Sequence, residues 1–232
     1  IKAIIPVHVF GHPCDIKGIL KIAKKFNLVV VEDAAEALGS FYKKKHLGTF
    51  GDAGILSFNG NKPITCGSGG AIITDNKTMS LKLKHLSTHA KKQDLVDHIH
   101  DEIGYNYRMN NLSAAVGCAQ MENIKKIIKA KRKNYLWYRK AFEKLEYVQI
   151  LKEPKLSKTN YWLITAVLKN HKIKNKVLKK LKREGYGLRT TWRPLHSLKI
   201  YKNCPRDKME NSNDFFKRAI NFPSSPKLKG RS

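Results

Sequence analysis

A lysine amine reacts as a nucleophile where something lowers its pKa, and Lys62 stands in a stretch suited to doing that. Ile55-Leu56-Ser57-Phe58-Asn59-Gly60-Asn61-Lys62-Pro63-Ile64 continues through Thr65-Cys66-Gly67-Ser68-Gly69-Gly70 into Ala71-Ile72-Ile73-Thr74. The apolar runs at either end predict strands. Asn59-Gly60 signals a turn, and Pro63 biases Lys62 toward extended backbone, so the lysine is expected on the connection between the strands and not on a helix. An amine held there in a cleft and drawn out of water could form a Schiff base with an aldehyde such as that of pyridoxal phosphate. Read alone, the same residue also fits one more solvated lysine in a lysine-rich chain.

Asp33 is the second candidate. It follows the apolar run Val29-Val30-Val31-Glu32 and precedes the small residues Ala34-Ala35-Glu36-Ala37. An acid at the carboxyl end of a strand occupies the usual ligand position of an open α/β sheet, where it could keep a pyridine nitrogen protonated. A helix N-cap is the other reading of an aspartate placed after a strand.

Positioning these groups requires a sheet. Ile4 to Val9 reads as a strand, and Asp15 as the cap of a helix whose apolar face is Ile16, Ile19, Leu20, Ala23 and Phe26. Val29 to Val31 then returns as a parallel strand, since strand, helix and strand within so short a span form a crossover unit. Ile55 to Phe58 and Ala71 to Thr74 are strands on either side of Lys62, followed by a helix from Lys77 to Leu86. A long helical stretch opening at Asn111 should bridge to a second unit. That unit is expected to hold a strand at Tyr161 to Leu168, a basic helix at Lys174 to Arg183, a strand at Leu188 to Trp192 and a helix near Asp207 to Ala219. The fold class is therefore α/β with a mostly parallel sheet, followed by a smaller α+β domain, divided as 1–121 and 122–232.

Charge raises a rival function. The 232 residues carry 46 Lys and Arg against 18 Asp and Glu, a formal net charge of +28. Such a balance can mark a nucleic-acid binder. Here the lysines are spread through the chain, in Lys43-Lys44-Lys45, Lys125-Lys126 and Lys179-Lys180-Leu181-Lys182-Arg183, on faces that read as solvated. A compositional bias explains them, with a salt-screened attraction for polyanionic substrates as its functional remainder and no specific nucleic-acid partner. Cys14, Cys66, Cys118 and Cys204 lack the spacing of a disulfide framework or a zinc site, and His85, His89, His98 and His100 read as surface residues, so no metal is expected. No apolar run is long enough to span a bilayer, and the cytoplasm is the expected location.

The blocks that carry these candidates fall in a recognisable order. Pro6-Val7-His8-Val9-Phe10-Gly11, Glu32-Asp33-Ala34-Ala35-Glu36-Ala37, Gly48-Thr49-Phe50-Gly51-Asp52, Ser57 to Lys62, Gly104-Tyr105-Asn106-Tyr107-Arg108 and Trp192-Arg193-Pro194-Leu195-His196 resemble the DegT-type sugar aminotransferases. Ser57 to Lys62 and His100 to Arg108 look most like the branch serving legionaminic-acid and perosamine-type sugars. The resemblance implies the fold-type I large domain of a pyridoxal-phosphate enzyme, present in part, and a homodimer with shared active sites. It implies an amino transfer from glutamate to a nucleotide-diphosphate keto sugar, of the 4-keto-6-deoxy kind, for amino-sugar biosynthesis.

Residue by residue, Lys62 would carry the Schiff base and move protons, and Asp33 would pair with the pyridine nitrogen. Glu36 would lie beside the cofactor ring, and Ser57 would bind its phosphate together with Asn106 of the neighbouring subunit. His8 is placed at the cofactor cleft, though it also fits a loop histidine with no role. Arg108 is placed on a substrate phosphate or carboxylate, or else at the subunit interface, and His196 near the sugar pocket. Ser68 and Pro63 depart from common family wording without removing a chemical group. An intact Lys62 argues against the dehydratase branch, where histidine replaces it, and against a non-catalytic relative. The chain opens at Ile1 in mid-strand, and Phe222-Pro223-Ser224-Ser225-Pro226-Lys227-Leu228 resembles the family's closing motif. The expectation is an internal piece of a longer enzyme, without the N-terminal segment that stacks an aromatic residue on the cofactor.

Overall fold

The computed structural model describes residues 1–92 and 96–227, in two compact units: Ile1–Ile128 with Pro154–Asn160, and Lys129–Glu153 with the chain from Tyr161 onward. Leu228 of the closing motif lies outside the described residues.

The first unit begins with β1 (Ala3–Ile4), α1 (Ile16–Phe26) and β2 (Val29–Asp33). The side chain of Asp15 accepts the Gly18 N–H at 3.1 Å, and Asn27 closes α1 in the left-handed region with φ 50°. Ile16 and Ala23 pack on Val30, with Ile19 and Leu20 beside them, whereas Phe26 points to solvent. Burying a side chain of this size is worth about 1.5–3 kcal/mol, which is what turns the crossover back onto the sheet. The strand expected over Ile4 to Val9 is shorter than its apolar pattern suggested. Pro6 has no N–H to give a ladder, so β1 stops at Ile4, Val7 makes one isolated bridge to Asp33, and a 3₁₀ turn takes Val9–Gly11.

Next come β3 (Phe41–Tyr42), β4 (Lys45–His46), β5 (Ala53–Ser57) and β6 (Gly70–Ile73). The main sheet runs β1-β2-β5-β6, with β1, β2 and β5 parallel and β6 antiparallel at the edge. The β3–β4 hairpin was not expected. Lys43 and Lys44 both have positive φ, at 47° and 65°, in place of the Asn-Gly pair that usually announces such a turn. After α2 (Lys77–Ser87), α3 (Asn111–Glu122) opens with Asn110 accepting the Ser113 N–H at 2.8 Å, and α4 (Ile124–Phe142) follows. The single helix expected from Asn111 is thus broken at Asn123, whose side-chain amide turns back to the Ala119 carbonyl at 3.0 Å.

The boundary between units falls at Ile128, not at residue 121, because the first turns of α4 belong to the first core. Ile124 and Ile127 pack against the buried cluster of Ala34, Ala37, Leu38, Leu47, Leu56 and Ile64.

The second unit contains β7 (Val148–Ile150), whereas β8 (Ser157–Lys158) belongs to the first and pairs with β3. It continues with β9 (Ile164–Leu168), α5 (Lys174–Arg183), β10 (Arg189–Thr190), α6 (Glu210–Arg218) and β11 (Ala219–Phe222). Its sheet is antiparallel in the order β10-β11-β9-β7, over a core of Leu168, Leu178, Leu188 and Ile220. On α4, the buried ammonium of Lys131 donates to the carbonyls of Trp162 (3.1 Å) and Ser224 (2.8 Å) and to the Ser224 hydroxyl (3.3 Å). Burial alone pulls its pKa down to about 8. Three oxygen acceptors give each ammonium hydrogen a partner and oppose that pull. Among the described residues, no helix is long and apolar enough to cross a membrane.

Candidate active site

Asp33 and Ser57 are the last residues of β2 and β5, neighbouring parallel strands in which Asp33 pairs with Ile55. Both therefore sit at the carboxyl edge of the sheet, the edge at which open α/β sheets bind ligands. No helix follows β2, which removes the N-cap reading of Asp33. Its Oδ1 instead accepts the Ala35 N–H at 3.1 Å and closes a turn. The Ser57 hydroxyl receives a long contact, 3.4 Å, from the Asn59 N–H.

Lys62 lies in the loop between β5 and β6. Phe58 N–H to the Gly69 carbonyl (2.9 Å), Cys66 N–H to the Phe58 carbonyl (3.0 Å) and Lys62 N–H to the Asn59 carbonyl (3.0 Å) hold that loop. Pro63 and Ile64 are buried beneath it. The lysine side chain is 10 % exposed, and its Nζ lies 4.0 Å from Glu36 Oε1, on a carboxylate 16 % exposed. Burial pushes the Lys62 pKa down, while the charges of Glu36 and Asp33 pull it partly back. Burial also pushes the Glu36 carboxyl up, against the Phe10 N–H bonded to its Oε2 at 2.6 Å and the Lys62 charge. Both shifts favour neutral forms, so Lys62 is more easily deprotonated than a surface lysine.

This pair predicts a pH effect. The Glu36 carboxylate holds Lys62 protonated to higher pH than burial alone would. Glu36→Gln should therefore move the midpoint for acylation of Lys62 downward and raise its labelling several-fold at neutral pH. Mass-spectrometric peptide mapping after timed acylation reads this, and an unchanged or raised midpoint would contradict it.

The residues behind the pair hold the backbone on which Glu36 stands. Gly11, with φ 87°, passes so close to Asn160 that a Cβ there would lie 2.0 Å from its Oδ1. The Asn160 amide donates to the carbonyls of Glu36 (2.8 Å) and Leu38 (2.9 Å), and its N–H donates to the Ser40 hydroxyl (2.9 Å). Deeper in the first unit, fully buried Glu32 accepts from the N–H groups of Gly48 (2.9 Å), Phe50 (2.5 Å) and Gly51 (2.7 Å) and contacts His8 Nε2 at 2.8 Å. Burial raises its pKa, but the four hydrogen bonds outweigh that and hold it below the usual carboxylate range. Glu32 thus fixes the Gly48 to Asp52 segment that leads into β5. Sequence reasoning missed Glu32 and Asn160 as site supports. An acid next to Asp33 on an otherwise apolar strand was the available signal for Glu32, and nothing local marked Asn160.

The remaining expected site residues have other partners within their own units. His8 does not line a cleft. It is fully buried, Nδ1 accepts the Cys14 N–H at 3.3 Å, and its hydrogen on Nε2 faces Glu32, so both ring nitrogens are engaged. Asn106 and Arg108 are exposed on a segment tied to the end of α2 through Tyr105 N–H to Leu86 (2.7 Å) and Tyr107 N–H to Ser87 (3.1 Å). Arg108 lines a cavity of about 940 Å³ with Tyr105, Tyr107 and β6, and neither Lys62 nor Asp33 borders it. His196 belongs to the second unit, where its Nε2 meets Asn213 Oδ1 at 2.9 Å. His85, expected to lack ligand geometry, has Asp101 and Glu102 within reach at 2.7 and 3.4 Å, and Lys82 and Lys92 share those carboxylates.

A largely buried amine 4.0 Å from one carboxylate and acted on by the charge of a second, in the loop that follows a strand end at the carboxyl edge of the sheet, is a donor set that fits pyridoxal phosphate. Comparison with known proteins agrees. The chain is 40% identical over 230 residues to GDP-perosamine synthase of Escherichia coli O157:H7, covering 98% of this chain and 61% of the relative. It is 36% identical over 233 residues to the enzyme of the same name from Vibrio cholerae, covering 98% and 62%. Its fold superposes on Helicobacter pylori PseC, an aminotransferase of pseudoaminic acid biosynthesis, with a TM-score of 0.92 at 26% identity, over 98% of this chain and 62% of that one. The chain therefore spans about three fifths of the length of these relatives. Residues 1–232 match the family model throughout, and the chain belongs to the DegT/DnrJ/EryC1/StrS aminotransferase family.

Proposed function

We propose that the enzyme containing this chain transfers an amino group from glutamate to the keto carbon of a nucleotide-diphosphate 4-keto-6-deoxysugar, with pyridoxal phosphate as cofactor. The observation that carries the proposal is the half-dry Lys62 amine held 4.0 Å from Glu36 with the Asp33 charge also acting on it. The two perosamine synthases among the relatives support the sugar class.

When bound, pyridoxal phosphate supplies the electron sink that lets nitrogen leave one carbon skeleton and join another. Asp33 would hold its pyridine nitrogen, Ser57 its phosphate and Lys62 Nζ its aldehyde carbon. The lowered pKa makes Nζ easier to deprotonate than a surface amine, and the free base would accept a proton from the reacting carbon. Glu36 Oε1 then faces the ammonium so formed and stabilises it. A solvated surface lysine would need neither the burial nor the neighbouring acids.

Asn106, exposed here, is assigned to the cofactor phosphate of a second subunit, so the enzyme works as a homodimer with shared sites. The exposed apolar side chains Ile103 and Leu112 on either side of it suit a protein partner. One experiment tests sugar and assembly together. The protein from the full reading frame, given glutamate and a nucleotide-diphosphate 4-keto-6-deoxysugar, should yield a product with nitrogen on the fourth carbon by NMR. Lys62→Ala and Asn106→Ala protomers, each impaired alone, should regain part of that activity when mixed. Nitrogen on the third carbon would overturn the sugar assignment, and no recovery in proven heterodimers would overturn the shared site.

A further inference from the structure

Lys176, Lys179, Lys180 and Arg183 recur along α5 at the spacing i, i+3, i+4, i+7 and so form one stripe down the helix. All four are exposed, and the ion pairs among the described residues involve none of them. The other side of α5, with Val177, Leu178 and Leu181, packs on Leu168, Leu188 and Ile220 and fixes which way the stripe faces. The lysine bias of the chain does not account for this density. From Lys169 to Arg183, eight of fifteen residues are Lys or Arg and none is acidic, against 46 of 232 in the whole chain. Cations in the last turn complement the carboxyl end of a helix, which suits Lys180 and Arg183. Lys176 and Lys179 come before that turn and gain nothing from it. Like charges three and four residues apart repel, and Glu184 is the one carboxylate bordering the hollow beside the stripe.

An aromatic tip stands at the end of this stripe. Gly185, with φ 85°, closes α5: its N–H donates to the Lys182 carbonyl at 3.1 Å, and the Tyr186 N–H donates to the Leu181 carbonyl at 3.0 Å. The backbone is thereby fixed, yet Tyr186 is 56 % exposed. It lies between Gly185 and Gly187, and a Cβ on either glycine would meet nothing within 4 Å, so the turn projects into open space. A ring left in water on an ordered, projecting turn next to a row of unpaired cations is the arrangement that suits a lipid headgroup layer, where tyrosine is enriched. Single-stranded nucleic acid sites instead set stacking rings among the cations along the track, and no aromatic side chain lines the hollow beside Lys176, Lys179, Lys180 and Arg183.

We propose that the exposed face of α5 and the Tyr186 turn dock the enzyme on an anionic lipid surface, the four cations against headgroup phosphates and the tyrosine ring among the headgroups. A bilayer spreads negative charge over an area, so it meets the whole stripe at once and relieves the repulsion within it. The attachment is peripheral and reversible, and salt weakens it. Lys43, Lys44 and Lys45 are also consecutive and exposed, but they belong to a hairpin turn of the first unit, where Lys43 and Lys45 already lie over the rings of Tyr42 and Phe50. They serve as the control for the general charge of the chain.

Co-sedimentation of the protein from the full reading frame with lipid vesicles tests this. Vesicles of equimolar phosphatidylcholine and phosphatidylglycerol should carry the protein down, and vesicles of phosphatidylcholine alone should not. Combining Lys176→Ala, Lys179→Ala and Lys180→Ala should weaken binding roughly a hundredfold, at about fivefold for each cation removed. The corresponding triple change to arginine keeps the charge and should keep the binding, which separates lost attraction from lost folding. Tyr186→Ala should weaken binding several-fold, and Tyr186→Trp should retain it. Alanine at Lys43, Lys44 and Lys45 should leave it little changed. Equal binding to both kinds of vesicle, wild-type binding in the α5 alanine variant, or an equal loss in the Lys43 to Lys45 variant would overturn the proposal. So would displacement from the vesicles by polyuridylate RNA at physiological salt, which would make the stripe a nucleic-acid surface. Vesicle binding needs neither cofactor nor substrate, so its failure leaves the transamination reading as it stands.

Discussion

Replacing Lys62 with alanine is expected to lower the rate of amino transfer by roughly a thousandfold, the middle of the range for losing a positioned general base, and to abolish covalent retention of the cofactor. Lys62→Arg should fail as badly. A guanidinium stays protonated at any working pH and can neither attack an aldehyde nor accept a proton. Small primary amines should restore part of the activity of Lys62→Ala, because the vacated space adjoins Glu36 and the lost group is a simple amine. A variant that keeps a tenth or more of the wild-type rate would remove Lys62 from the chemistry.

The largest loss of stability is expected from Glu32→Gln. Three backbone N–H groups and His8 converge on this fully buried carboxylate. A glutamine would turn its own N–H₂ toward donors, at a cost of about 3 kcal/mol by analogy with breaking one side of a buried charged network. The effect should depend on pH in a definite direction. The folded-state pKa of Glu32 is depressed, so its contribution is fully present above the ordinary carboxylate pKa and disappears as pH falls through the lower folded value. The stability gap between wild type and variant, measured by urea unfolding, should be widest near neutrality and narrow in acid. A gap that stays constant or widens toward low pH would contradict this account of Glu32.

Much of the first unit was legible because its signals are local. Asp15 announced α1 and the run from Val29 to Val31 announced β2, and in the second unit Lys174 to Arg183 marked α5 with the bounds the structure has. Signals failed where a residue did something unusual for its type. Lys43 and Lys44 make a positive-φ turn that lysines rarely advertise, and Asn123 interrupts a helix that its neighbours would have continued. The helix expected near Asp207 to Ala219 ends at Arg218, and the strand β11 that begins at Ala219 was not expected, because only pairing with β9 and β10 makes it a strand.

The site divides along the same line. Asp33, Ser57 and Lys62 could be placed because strand ends and turns are written in short stretches. His8 could not, because what decides its role is Glu32, 24 residues away, and the Cys14 N–H. Asn160 lies 124 residues from the Glu36 carbonyl it holds, and a contact of that separation leaves no periodic trace in a single chain.

The most direct test of the central claim is to load the protein from the full reading frame with pyridoxal phosphate, reduce it with borohydride and map the modified peptide. The account predicts one stoichiometric label, on Lys62, lost in Lys62→Ala and retained in Glu36→Gln. A label on another lysine, or none at all in protein that has taken up the cofactor, would contradict it.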